Sequence, residues 1–405
     1  MAKNRLRVIF ATFSAYKNGE RLATNGMVEP MLSYFAPKTQ RFVVIDQPYP
    51  GSDILTPIIE IYKKGKLSKK TYSSFFVRIL NPLLATRNTM GTRIPFKLRD
   101  FLSVIDFAIR DRKKFDLFIG LESINALAGV VLKKTGFVNK VVYYVSDYSP
   151  IRYRKGWFNQ IYLILDRLAC QNSDFIWDVS PAMMPARKKA GLTTKKIAPV
   201  VLVPNALFPK QINYLPQNKV IPYSMVYAGT LGKENGPDLA IESLAKVIKD
   251  TPLAKLHIYG GGEIDLKRLK RLAVRLKVRR ATYFHGFISD PVKLSNEIRS
   301  YSVGLAPYRA ITGDPRWWAD ATKIRLYLGA GLPVVTTQVP PLGKELIKES
   351  AGLVVKDSPE SLYQAIVSIF KNKNLYLKLR NNAIRKAKDN TWEKSYANAM
   401  DSMFL

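Results

Sequence analysis

Lys323 stands in the stretch Asp314-Pro-Arg-Trp-Trp-Ala-Asp-Ala-Thr-Lys-Ile-Arg-Leu-Tyr-Leu-Gly-Ala-Gly-Leu-Pro-Val-Val-Thr336. The pattern starts a helix at Asp320 or Thr322, puts Lys323 in its first turn, ends it at Gly331 and continues into a buried strand, Leu332 to Thr336. A cation in a first turn opposes the helix dipole and costs stability unless an anion sits beside it. Phosphate binding is therefore the chemistry to which this placement points. Upstream, Ala228-Gly-Thr-Leu-Gly-Lys-Glu-Asn-Gly-Pro-Asp238 carries a strand through Gly229 and Thr230 towards a helix near Pro237. Such a turn offers unpaired N–H groups to an anion, and Lys233 adds a point charge. A glycine-rich turn alone is equally a structural device. The same holds for His257-Ile-Tyr-Gly-Gly-Gly-Glu263, and for Tyr283-Phe-His-Gly-Phe-Ile-Ser-Asp290, where a flat heterocycle can rest against the backbone at Gly286.

Composition narrows the rest. His257 and His285 are the two histidines and Cys170 is the single cysteine. That excludes an intramolecular disulfide framework, Cys-rich metal sites and most Ser-His or Cys-His machinery. His257, in an apolar strand, reads as a core residue. Carboxylates, backbone dipoles and cations remain as catalytic groups. In the first half the best-placed carboxylate is Asp147, in Tyr144-Val-Ser-Asp-Tyr-Ser-Pro150 at a strand end, where a cap or turn role is equally open.

These residues must be positioned by strands that alternate with longer amphipathic segments. The strand-like runs are Leu6–Phe13, Arg41–Ile45, Asp116–Gly120, Lys140–Val145, Phe175–Val179 and Val200–Val203, then Tyr223–Ala228, Lys255–Tyr259, Thr282–Phe284, Val303–Pro307, Pro333–Thr336 and Gly352–Lys356. Two sets of six read as two doubly wound α/β units. The Pro-rich stretch Pro204–Ser224 lacks helical period and reads as a linker. The expected domains are 1–204, a linker at 205–222, a second domain at 223–374, and a C-terminal helix at 375–405 packing back on the first domain. A ligand is expected at the C-terminal strand ends, in the cleft between the domains.

The 405 residues include 64 Lys plus Arg against 31 Asp plus Glu, a formal charge of +33. Residues 1–220 hold 35 basic and 14 acidic side chains, so the excess leans to the first half. An anionic partner follows. In Lys63-Lys-Gly-Lys-Leu-Ser-Lys-Lys70, followed by Tyr72, Phe75, Phe76, Val77, Ile79 and Leu80, and again in Arg152-Tyr-Arg-Lys-Gly-Trp-Phe158, basic and aromatic residues lie together. That combination suits an anionic membrane surface and equally a solvated face over core aromatics. No nucleic-acid motif is present, which disfavours that partner. The N-terminus reads as a first buried strand and not a signal peptide, and no run is long enough to span a bilayer. A cytoplasmic protein, peripheral on the inner face of the membrane, is the expectation.

Taken together, Gly229-Thr-Leu with Asn235-Gly, Ile258-Tyr-Gly-Gly-Gly, Phe284-His-Gly-Phe and Lys323-Ile-Arg-Leu-Tyr-Leu-Gly-Ala-Gly-Leu-Pro-Val-Val resemble the nucleotide-sugar-binding domain of GT-B glycosyltransferases, in particular the retaining family 4 (group 1) enzymes. The resemblance covers roughly residues 222 to 370. It implies the GT-B fold, two Rossmann-like domains facing a central cleft, and transfer of a sugar from a UDP- or GDP-linked donor with retention, no cofactor and no metal ligands. It further implies a lipid-linked or glycan acceptor. The donor base would lie near Gly286 and Phe287, the phosphates near Gly229, Thr230, Thr322 and Lys323, and the diphosphate and sugar opposite Asn18 and Gly19 in the loop Ala15–Arg21. Lys323 and Asp147 are the expected catalytic groups. The family's Glu-x7-Glu pair falls on Trp318 and Leu326, so Asp314 or Asp320 is the candidate substitute for ribose recognition, and Thr230 and Asn235 replace the family's usual Arg and Lys. The competing class is a catalytically silent relative, or a basic protein that binds lipid or nucleic acid.

Overall fold

A computed structural model of the chain describes residues 6–22, 26–79, 90–153, 156–193 and 196–404, and every count of elements is of those residues. Two compact units result. The first comprises the described parts of Met1–Val179, Met183–Val203 and Asn398–Leu405, and the second Ser180–Ala182 and Pro204–Ala397.

In the first unit the chain runs β1 (Arg7–Lys17), β2 (Glu20–Leu22), α1 (Val28–Lys38), β3 (Arg41–Pro48), β4 (Ile58–Lys63), β5 (Lys66–Tyr72), α2 (Phe75–Arg78), α3 (Met90–Asp111), β6 (Phe115–Leu121), α4 (Glu122–Lys134), β7 (Val138–Val145), α5 (Trp157–Asn172), β8 (Phe175–Asp178), α6 (Met183–Lys189) and β9 (Val200–Leu202). The sheet order is β5-β4-β3-β1-β6-β7-β8-β9, with β2 paired to β1. From β3 to β9 the neighbours are parallel, whereas β4, β5 and β2 pair antiparallel. Residues 8–11, 42–45 and 117–119 are fully buried, as continuous apolar strands covered on both faces must be. Each large aliphatic side chain so buried contributes ~1.5–3 kcal/mol. The crossovers carrying α3, α4 and α5 run in one direction along the sheet, and right-handed crossovers set these helices on one face. Accordingly α3 packs on α4 and α4 on α5.

The second unit continues with β10 (Ser224–Ala228), α7 (Pro237–Asp250), β11 (Lys255–Tyr259), α8 (Glu263–Arg275), β12 (Thr282–Gly286), α9 (Pro291–Ile298), β13 (Val303–Ala306), α10 (Thr322–Gly329), β14 (Val334–Thr337), α11 (Leu342–Glu349), β15 (Gly352–Val355), α12 (Pro359–Lys371), α13 (Lys373–Asp389) and the start of α14 (Trp392–Phe404), whose residues from Asn398 onward belong to the first unit. Its six strands are all parallel, in the order β12-β11-β10-β13-β14-β15. The strand order reverses between β10 and β13, which opens a crevice beyond their C-terminal ends. Apolar clusters fill both faces, one around Met225, Leu239, Leu256 and Val303, the other around Val226, Ala306, Ile324 and Val334.

Two features differ from the sequence expectation. Residues 205–222 are packed on the second unit, with Leu207 buried, the Asn205 N–H donating to Asp320 (2.8 Å) and the Ile221 N–H to Ser300 (2.8 Å). The terminal stretch is two helices, broken at Asn390 and Thr391, where Leu207 bridges to Thr391.

Candidate active site

At the C-terminal edge of the second sheet three strand ends converge through glycine. The Gly229 N–H donates to the Tyr259 carbonyl (2.9 Å), and the Gly260 N–H to the Gly286 carbonyl (2.8 Å). A Cβ on Gly260 would lie 2.3 Å from the Gly229 oxygen, so no side chain fits there. Gly236 has φ +72°, and a Cβ on it would meet the Pro307 oxygen at 1.6 Å, which fixes glycine at the turn into α7.

Lys323 is brought into this edge by α10. One turn further along the same helix face, Tyr327 accepts the Ala228 N–H (2.7 Å) and donates to the Leu305 carbonyl (3.0 Å), tying α10 to the ends of β10 and β13. The Lys323 side chain then runs against Gly229, where an added Cβ would sit 3.0 Å from Cε and 3.3 Å from Nζ. Its ammonium is buried over the Tyr227 ring (3.9 Å) and near that of Tyr308 (4.8 Å), and it has no hydrogen-bond partner. Burial pushes the Lys323 pKa well below the usual lysine range, and the nearby Arg316 pushes it further, against a smaller pull from Glu234. A buried cation at a helix start is chemistry suited to an anionic group.

Arg316, which the sequence reading did not single out, forms the other wall. It holds Asp314 through Nη1 (2.8 and 2.6 Å), donates from Nε to Asn235 (3.2 Å) and reaches Glu234 (3.5 Å). Asn235 in turn donates to the Thr230 hydroxyl (2.7 Å), and the Tyr227 hydroxyl donates to the Thr230 carbonyl (2.5 Å). The signal was available, since Arg316 lies seven residues before Lys323 within the same stretch.

Gly229, Thr230 and Lys323 are thus brought together, with Thr322 exposed as the first residue of α10. Gly286 (φ +81°) and exposed Phe287 adjoin them through the Gly260–Gly261 turn, where a Cβ on Gly261 would touch the Phe287 Cβ at 3.1 Å. Lys233 is exposed and lines a groove of about 650 Å³ with Asp238, Arg268 and Arg271. Asp320 is engaged elsewhere. Its buried carboxylate takes Arg325 at 2.6 and 2.9 Å together with the Asn205 N–H, so it acts as a clamp on residue 205 and leaves no free edge for a ribose. Leu326, at the position of the family's second glutamate, packs half-buried on the Ile324 cluster. His257 is not a core residue. It stacks on Tyr283 and His285 and shares a 2.9 Å hydrogen bond with His285, and burial holds its pKa near 4.

In the first unit the expected loop Ala15–Arg21 is a hairpin. Strand β1 continues to Lys17, and Asn18 (φ +55°) and Gly19 (φ +75°) form the two-residue turn into β2. Arg21 pins the hairpin through Asp46 (2.6 Å) and Glu60 (2.9 Å), and the Gly19 N–H donates to Asp53 (3.1 Å). Asp147 lies beyond the end of β7, paired with Arg152 at 3.2 Å, and its Oδ1 is without a partner. Beside it stands Glu122, which the sequence pattern does not single out. Its backbone is left-handed (φ +66°) at the turn from β6 into α4, and its carboxylate accepts from Ser146 (3.0 Å). Burial raises the Glu122 pKa, with Asp147 adding to the effect and Arg152 opposing it.

Comparison with known proteins fits this geometry. Residues 222–372 match the family model for group 1 glycosyl transferases. The second unit is therefore similar to the domain that defines that family. The O-antigen biosynthesis glycosyltransferase WbnH of Escherichia coli is 30% identical over 179 residues, 43% of this chain and 48% of that protein. The chain therefore matches about half the length of its curated relatives. Among solved structures, Anabaena HepE in complex with UDP superposes with a TM-score of 0.68 at 13% identity, covering 98% of this chain and 100% of that one. WaaG, a glycosyltransferase involved in lipopolysaccharide biosynthesis, gives 0.63 at 14% identity, covering 98% and 99%. The fold is GT-B. Among the described residues no helix is long and apolar enough to cross a membrane.

Proposed function

We propose that the second unit works in a glycosyltransferase that moves a sugar from a nucleoside-diphosphate donor to a glycan or lipid-linked acceptor of the cell envelope, with retained configuration and no metal. The observation that carries the reading is the buried, unpartnered Lys323 ammonium against Gly229. The O-antigen relatives support a glycan acceptor, and the UDP complex of HepE supports a uridine donor.

In this reading the diphosphate occupies the turn between Gly229 and α10. Departure of the sugar builds negative charge on the diphosphate, and Lys323, Arg316 and the N–H groups at the start of α10 stabilise it without a metal. Once charged by its anion, Lys323 is worth more there than in water, because the surrounding Tyr227 and Tyr308 rings exclude solvent. The leaving phosphate takes the acceptor proton on the same face, so no histidine base is needed. Gly286 and Phe287 carry the base. Asn18, Gly19 and Asp147 belong to the first unit, to which the acceptor is assigned.

Thermal unfolding with UDP, GDP and their sugars, with and without chelator, tests this. A ligand at about 100 times its dissociation constant adds about 2.7 kcal/mol. The expected result is selective stabilisation by one diphosphate, indifferent to chelator and absent in Lys323→Ala; no response to any of them sinks the proposal. One observation favours a second reading, a binding-only relative: apolar Leu326 stands where the family carries a glutamate. Stabilisation by a nucleotide sugar without its hydrolysis or transfer would select it.

A further inference from the structure

The outer side of the α3–α4–α5 layer in the first unit is apolar. On α5, Trp157, Ile161, Ile164 and Leu168 recur at i, i+4, i+7 and i+11, the spacing by which a helix normally faces a core. Here all four are exposed, Trp157 by 66%. On α3, Ile94, Leu98 and Ile109 are exposed as well, and on α4 so is Val131. Phe76 of α2, a helix that packs on α3, is 80% exposed. Isolated exposed leucines are ordinary, but a face shared by adjacent helices marks an interaction surface.

Charge indicates what covers it. Helices α3 and α4 lead into neighbouring parallel strands β6 and β7, so their C-terminal ends lie at one edge of the sheet. Arg112, Lys113, Lys114 and Lys134 follow or end these helices, all exposed, and none has an ion-pair partner among the described residues. A second copy of the chain would cover the apolar side but would leave these like charges uncompensated. An anionic surface with an apolar interior satisfies both parts.

We infer that the α3–α4–α5 face docks on an anionic lipid bilayer, the apolar stripe entering the acyl boundary and the basic edge meeting the headgroups. This surface keeps Phe76 and Trp157 of the two stretches that the sequence singles out and leaves out Lys63–Lys70, which lies in the β4–β5 hairpin at the sheet edge. The inference is independent of the glycosyl-transfer reading, because vesicle binding needs neither donor nor acceptor.

Flotation of the full chain with phosphatidylglycerol–phosphatidylcholine vesicles, against phosphatidylcholine alone, at about 50 mM and about 500 mM salt, tests it. The chain should float with the anionic vesicles and bind at least about tenfold more weakly at the higher salt. Ile161→Glu with Ile164→Glu, both exposed positions, should cut binding about tenfold or more without moving the unfolding temperature. Lys113→Glu with Lys114→Glu should weaken binding and flatten its salt dependence. No flotation, wild-type binding by the Ile161→Glu/Ile164→Glu variant, or a wild-type dimer in sedimentation that this variant dissociates would each overturn the inference.

Discussion

Lys323 is a buried cation with an energetic signature of its own. Its folded pKa lies well below that of the unfolded chain, with burial as the main cause and Arg316 as the next. Between the two values the unfolded state binds more protons, so this residue's contribution to stability falls as pH drops from about 10.4 towards the lowered folded value. Lys323→Met keeps a linear side chain of similar length and removes the buried charge. Without ligand at neutral pH it should be more stable than wild type by about 1–3 kcal/mol, the gap narrowing towards pH ~10, and it should lose the diphosphate response. Urea unfolding with and without UDP measures both; a destabilised variant that still responds to UDP refutes the anion assignment. Glu122 has the opposite sign. Its folded pKa is raised, so its contribution is present below the unfolded value near 4.3 and is lost as pH rises through the folded value. Glu122→Gln should therefore gain stability relative to wild type as the pH rises from about 4 through the raised folded value, and a difference that stays constant with pH would place the carboxylate outside the low-dielectric pocket.

The elements that carry these groups were unevenly legible in the sequence. All six strands of the second unit and the helix bearing Lys323 follow from apolar runs punctuated by glycine; the central strands β10, β13 and β14 are buried throughout and so cannot disguise themselves with charge. Strand β5, Lys-Leu-Ser-Lys-Lys-Thr-Tyr, was hidden because its face is solvated and its lysines protect a sheet edge. The β1–β2 hairpin is legible only in the Asn18-Gly19 pair, the usual two-residue hairpin turn, because β2 is three residues long and carries no apolar alternation. The clamp at Asp320 is hidden for a different reason: its partners Asn205 and Arg325 lie 115 residues before it and five after, and no local pattern announces the first. That clamp joins residue 205 to the helix that aims Lys323. Arg325→Ala leaves Asp320 charged and buried and should cost about 3–5 kcal/mol, whereas Arg325→Met with Asp320→Leu should recover most of it. Denaturant midpoints settle the matter; an Arg325→Ala variant of wild-type stability would show the pair to be dispensable.

For the whole molecule the dominant quantity is the charge of +33. Self-repulsion of that size destabilises the compact state and is screened by salt, with a Debye length of ~20 Å at 20 mM falling to ~7 Å at 200 mM. Raising potassium chloride across that range should lift the unfolding temperature by about 2–4 °C in wild type and Lys323→Met alike, because screening acts on the sum of charges and not on one site. A diphosphate at micromolar concentration changes ionic strength negligibly, so its stabilisation must come from a defined position and must vanish in Lys323→Met. Calorimetry over the four combinations of salt and UDP separates the two. Equal UDP shifts in both proteins would mean that the chain's general positive potential, rather than the crevice at the ends of β10 and β13, is what attracts the anion.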